Sequence, residues 1–283
     1  VKAGSAIGVM TKSPAIIGLA DWLRTPAGRY LLAWEQQHLD QAVVDVFGFH
    51  ALQLGLPELD ALRANRMPHR WVSGDGSRGG DDVDPARAAV ALHCDFDALP
   101  FDSQSLDLVV LPHALELAPD PHLTLREVER VLRPEGRVVI VGFNPTSLWG
   151  LRQRLGHMRR GLGFSRRRPL FLPSEGDFIG YRRLRDWLRL LSFEVEAGRF
   201  GCYRPPVGSE PWLARYEWAE RLGDRWWPVF GAVYSLTAVK RVRGMRLVGL
   251  VRREQLKPKT APAVVVHHRH QRDLAETADQ ETS

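Results

Sequence analysis

The residues with the widest chemical reach lie in the second half of this 283-residue chain. Between Leu151 and Arg168 stand seven arginines and no acid. A guanidinium stays charged and presents a planar fork of donors, so the run from Arg152 to Arg168 suits an anionic partner, whether phosphate or lipid headgroup. It reads equally as a solvated, partly helical surface. Trp212, Trp218, Trp226 and Trp227 follow beside Arg215, Arg221 and Arg225. Amphipathic rings beside cations suit a substrate lid or an interfacial patch, or else packing of an insertion onto the core. Gly74-x-Gly76-x-x-Gly79 has a dinucleotide-loop spacing. Asp75, Asp81, Asp82 and Asp84 would repel a phosphate there and no helix starts, so a flexible loop is expected. His267, His268 and His270 lack a fixed geometry, and no metal site is expected. No Walker loop, nucleophile elbow or zinc-protease helix is present.

Composition bounds the rest. Hydrophobic residues make up 44% and charged residues 25%, which excludes a mostly disordered, collagenous or coiled-coil chain. The formal charge of +6 hides an asymmetry. Residues 1–150 carry 13 basic and 19 acidic side chains, whereas residues 151–283 carry 26 and 14. The second half is therefore the place to expect an anionic partner: nucleic acid, membrane surface or acidic substrate. The two cysteines, Cys94 and Cys202, make neither a disulfide framework nor a cysteine-rich zinc site, and a reducing cytoplasm is expected. No apolar run reaches the roughly 18 residues of a membrane span. Thr11-Lys12-Ser13-Pro14 interrupts the first apolar stretch too early for a secretory leader.

These residues must be positioned by alternating strands and helices. Thr25-Pro26 starts a helix over about 26–47, with a capping hydroxyl and proline in the first turn. His50–Leu54, Arg70–Ser73, Ala88–His93, Leu106–Leu111 and Arg137–Phe143 read as strands, and Glu58–Asn65, Pro121–Leu132 and Asp177–Leu191 as helices. Phe193–Tyr203 and Tyr234–Val242 complete the strands. The alternation implies βαβ units and a mostly parallel sheet.

One stretch is far more specific. It runs Cys94-Asp95-Phe96-Asp97-Ala98-Leu99-Pro100-Phe101, then Ser105-Leu106-Asp107-Leu108-Val109-Val110. It continues through Pro119-Asp120-Pro121 and Leu125-Arg126-Glu127-Val128 to Arg130-Val131-Leu132-Arg133-Pro134-Glu135-Gly136-Arg137-Val138-Val139-Ile140. This resembles the central half of the class I S-adenosylmethionine-dependent methyltransferases, in their type 11 domain form. The stretches Gly142–Arg152 and Arg185–Leu188 resemble a bacterial branch of that superfamily that names no substrate. The resemblance implies a Rossmann-like α/β fold with a seven-stranded sheet of order 3-2-1-4-5-7-6, strand 7 antiparallel and helices on both faces. It implies S-adenosylmethionine as cofactor. The expected organisation is an N-terminal extension over 1–47, a methyltransferase-like domain over 48–256 with an insertion at 207–230, and a disordered tail over 257–283.

The resemblance also assigns candidate residues. Asp95 matches the acid that accepts from the adenine amino group, and Phe96 the residue whose amide meets the ring. His113 and Glu116, after the fourth strand, fall where the methyl group is presented; His113 is the candidate base or methionine-end contact. Asn144, after the fifth strand, is a candidate for orienting substrate, and Asp107 is expected to be structural. The family's glycine-rich loop, which meets the cofactor, corresponds to Leu52–Leu59; Gly55 keeps its glycine and Gln53 replaces the acid, both as cofactor-binding candidates, while Pro57 and Leu59 replace the later glycines. Asp75 is the nearest candidate for the ribose hydroxyls. The expected function is methyl transfer to an unidentified acceptor. The rivals are a catalytically inactive binding module on the same fold and a binder of anions, nucleic acid or membrane surface through the basic half.

Overall fold

The computed structural model describes residues 16–74, 90–161, 170–173 and 177–241, all within the compact unit Val1–Arg243. Asp75, most of the Gly74–Gly79 loop, His267, His268, His270 and the tail lie outside the described residues.

Seven strands form one sheet of order β3-β2-β1-β4-β5-β7-β6, as the resemblance implied. They are β1 (His50–Leu54), β2 (His69–Gly74), β3 (Leu92–His93), β4 (Leu106–Pro112), β5 (Leu132–Phe143), β6 (Phe193–Gly201) and β7 (Val233–Lys240). The first five pair in parallel, and β7 runs antiparallel to both β5 and β6. The strand alternation sorts the apolar side chains to two faces. Ala51, Leu108, Val110, Val139 and Val141 pack with Leu31, Leu39 and Val43 of helix α2 (Pro26–Val43) and with α1 (Ile16–Leu23). Leu52, Leu54, Val109, Leu111 and Ile140 pack with α4 (Pro121–Val131), which follows the single turn α3 (Ala114–Leu117), and with Leu184 and Leu188 of a later helix, Tyr181–Leu190.

Local chemistry explains the element ends. The hydroxyl of Thr25 accepts from Gly28 N, and Asp120 accepts from His122 N and Leu123 N ahead of Pro121 at the first turn. Helix α2 stops at Val43 rather than near 47. The Asn65 side-chain amide donates to the carbonyls of Val43 and Val46, satisfying groups that a helix end leaves free.

Two expectations are corrected. Glu58–Asn65 is not a helix but a chain of turns closed by bonds such as Leu59 N to Leu56 O and Asn65 N to Leu62 O. Pro57 lacks a donor, and the buried Gln53 amide claims the loop carbonyls that a helix would use. The strand expected over Ala88–His93 is, among the described residues, only Leu92–His93. Helix α1, which the sequence reading did not anticipate, packs Trp22 on Phe143 and on Trp149.

The family-like spacing Glu127-x-x-Arg130 has a physical reason. Arg130 holds Glu127 at 2.8 Å and donates to the carbonyls of Leu99 and Phe101, while Glu127 accepts from Leu99 N. The Arg130 guanidinium keeps the Glu127 carboxyl below its ordinary value. The pair pins the Leu99-Pro100-Phe101 segment to α4. Asp107 is structural as expected: it accepts from the amides of Phe49 and His50 and pairs with Arg133. Replacing Arg130 with Ala removes several charge-assisted bonds from a half-buried site and is expected to cost about 1–3 kcal/mol in urea unfolding. The exposed Arg126→Ala control is expected to stay within about 0.5 kcal/mol.

Candidate functional site

In an open α/β sheet, ligands bind beyond the carboxyl ends of the strands, at the point where the strand order reverses. Here that point lies between β1 and β4, and most of the candidate residues stand at these ends.

At the β1 end, Gly55 adopts φ +76°, and a Cβ there would lie 3.2 Å from the Phe96 ring. Its amide donates to Ser73 O of β2, which draws the two strand ends together. At the β3 end, Phe96 is buried, while Asp95 is exposed and its carboxylate makes no hydrogen bond among the described residues. Gly55, Asp95 and Phe96 are thus brought to one side of the cleft.

Gln53 is fully buried. Its Nε2 donates to the carbonyls of Gly55, Leu56 and Leu59, and its Oε1 accepts from Ala61 N. Expected as a cofactor contact, it spends both ends of its amide on its own loop, and that loop holds Leu56 at φ +50°.

At the β4 end, His113 is 1% exposed and sits in the left-handed region at φ 55°. Its Nδ1 is 2.7 Å from Glu116 and its Nε2 is 2.8 Å from Glu35 of α2. Burial disfavours the imidazolium. The negative charge of Glu35 and the hydrogen bonds to Glu116 and Glu35 outweigh that, and the pKa of His113 rises to about 10. The protonated ring donates from both nitrogens. Burial pushes the Glu116 carboxyl above its ordinary value, opposed by its bond to His113. Glu116 also accepts from Phe143 N at 2.6 Å. Gly142 makes this possible: a Cβ there would stand 3.2 Å from Glu116 Oε1 and 2.8 Å from the Tyr234 hydroxyl. Asn144 is separate from this cluster. Its amide donates to Val229 O and Gly231 O, and its oxygen accepts from Thr146. The expectation of a base at His113 and an orienting group at Asn144 therefore meets sealed side chains, both ring nitrogens of His113 being engaged.

Glu35 was missed by sequence reasoning. Leu31, Glu35 and Leu39 share the buried face of α2, and an acid at that spacing signals a buried cationic partner. Among the described residues, no group of His, Cys, Asp or Glu could hold a metal ion, and no helix is long and apolar enough to cross a membrane.

A methyltransferase domain model matches residues 69–140. The chain is 36% identical over 183 residues to the uncharacterized protein YafS of Escherichia coli, covering 63% of this chain and 67% of that protein. It is 33% identical over 61 residues to a demethylmenaquinone methyltransferase of Chlamydia pneumoniae, covering 22% of this chain and 26% of that one. Among solved structures, a Thermotoga maritima S-adenosylmethionine-dependent methyltransferase shares the fold with a TM-score of 0.51 at 14% identity, over 76% of this chain and 91% of that one. The chain belongs to the class I S-adenosylmethionine-dependent methyltransferases. The cofactor of this family is S-adenosylmethionine.

The residues present fit the adenosine part of that group. The left-handed glycine under Phe96 and the exposed Asp95 carboxylate, without a hydrogen bond among the described residues, leave an acceptor and a flat apolar wall where a nucleoside would lie. Toward the methionine part, the carbonyls of Gly55, Leu56 and Leu59 are already occupied by Gln53.

The buried cluster makes stability depend on pH. An unfolded histidine releases its proton near 6.5, while the folded His113 keeps it to about 10. Its contribution is complete below about pH 6.5 and is lost as pH rises toward 10. Urea unfolding between pH 6 and 10 is expected to show this decline. His113→Gln should flatten it and cost about 3 kcal/mol at pH 7, by leaving two buried carboxylates without a cation.

Proposed function

We propose that this chain transfers a methyl group from S-adenosylmethionine to an acceptor seated over the carboxyl ends of β4 and β5. One observation carries the reading: an exposed Asp95 carboxylate, with no hydrogen bond among the described residues, next to a buried Phe96 packed over a left-handed Gly55. When bound, the cofactor supplies a sulfonium-activated methyl group for in-line displacement by the acceptor atom.

The chain's own residues supply binding, position and dryness. Asp95 would hold the adenosine end as hydrogen-bond acceptor, with Phe96 as its apolar wall. Asp75, outside the described residues, is the proposed partner of the ribose hydroxyls. His113, Glu116 and Glu35 act as positioning residues, because they fasten α2 and β5 to the tip of β4. Asn144 positions the loop after β5 against the return into β7. Trp22, Phe143 and Trp149 close the end of β5 beneath the N-terminal helices and exclude water there. Positioning and desolvation carry much of the catalysis in a displacement of this kind, so no sealed base is required. The domain expected over 48–256 is read as the catalytic body, and α1 and α2 of the expected 1–47 extension cover one face of its sheet.

Calorimetric titration of the full chain with S-adenosylmethionine and S-adenosylhomocysteine tests this. Saturable binding is expected, weakened about tenfold by Asp95→Ala through loss of a hydrogen bond worth roughly 1.4 kcal/mol. An absence of binding at millimolar ligand would overturn the proposal.

A further inference from the structure

Two helices expose apolar stripes that nothing in the described residues covers. On α5 (Leu148–Gly161), Leu148, Leu151, Leu155 and Met158 fall on one face and are 42–59% exposed. The opposite face is buried, with Trp149 at 1% and Gln153 at 4% exposure. The helical repeat places Arg152 and Arg159 along one border of the stripe and Arg154 along the other, and the helix contains no acid.

After α6 (Tyr181–Leu190) and the short α7 (Glu210–Arg215) comes α8 (Trp218–Trp226). Its residues Trp218, Leu222 and Trp226, spaced four apart, are 57%, 41% and 66% exposed. Arg221 and Arg225 border that stripe. Glu220 faces inward, bonded to the Tyr30 hydroxyl and to Tyr203 N. Trp227, Val229 and Phe230 continue the apolar surface beyond the helix. The two helices flank one segment. Trp149 donates to Arg204 O and Arg152 to Pro206 O from α5, while Gly223 of α8 packs on Tyr203.

We infer that α5 and the α8 region dock the protein on an anionic bilayer surface. An exposed apolar stripe edged by arginine is the form of a helix lying in the interface plane. The aliphatic residues would enter the acyl boundary, the tryptophans would sit at headgroup level, and the arginines would meet lipid phosphates. Exposed apolar area of this extent on a soluble domain marks a contact surface. A nucleic acid would match the arginines and rings but not the leucine and methionine stripe of α5.

The experiment is flotation of the full chain with vesicles of phosphatidylglycerol and phosphatidylcholine, or of phosphatidylcholine alone, at two salt concentrations. Binding to the anionic vesicles is expected, with little to the neutral ones. Trp218→Ser with Trp226→Ser should weaken binding at least tenfold, as should Arg154→Glu with Arg159→Glu. All four positions are exposed, so circular dichroism and melting of the variants should match the parent. No binding to anionic vesicles at low salt, or binding that survives the tryptophan replacements, overturns the inference; so does a preference for a DNA or RNA duplex over the vesicles. The readout needs neither cofactor nor acceptor, so its failure is distinct from failure of the methyl-transfer reading.

Discussion

A protonated histidine held between two carboxylates ties the sheet to its covering layer. His113 leaves the tip of β4, Glu35 descends from α2, and Glu116 reaches across to the last amide of β5. Three elements distant in sequence are fixed to one buried charge. Removing a single partner leaves an uncompensated charge where water cannot reach it, so the cluster is tolerated only complete. It also explains the placement of the N-terminal helices. Burial of Leu31 and Leu39 would permit sliding along the sheet, whereas a bond to His113 at 2.8 Å sets one register.

The same logic runs through the polar groups nearer the surface. Glu127 and Arg130 hold the Leu99–Phe101 segment, and Asp107 closes the entry to β1. Each is a charged side chain spent on backbone groups of a neighbouring loop. Together they tie the Leu99–Phe101 segment to α4 and the first residues of β1 to β4, while the Asp95 carboxylate makes no hydrogen bond among the described residues.

Legibility from sequence followed the range of the interaction. The segment from Cys94 to Ile140 was readable because its signals are local: an i, i+3 ion pair, an Asp-Pro helix start, apolar strands bounded by turns. The strand order follows from the family resemblance that this segment carries, together with the later helix and strands that suit the end of the same fold. Glu35 was harder, since its partner lies 78 residues away; the only trace in sequence is an acid between Leu31 and Leu39 on the buried face. The turns over Glu58–Asn65 misled for a related reason. Their helical composition is overridden by one buried amide, Gln53, that competes for the carbonyls.

Gln53 also gives a physical account of how the first loop departs from the family pattern. A carboxylate at this position could accept hydrogen bonds but could not donate to carbonyls. Glutamine does both, donating from Nε2 to Gly55, Leu56 and Leu59 and accepting from Ala61. Once the side chain draws those carbonyls inward, the loop has no need of successive glycines, and Pro57 and the buried Leu59 become admissible. The lost acid and the lost glycines are then one change rather than several. That change leaves Gly55 in its left-handed turn beside the Phe96 ring.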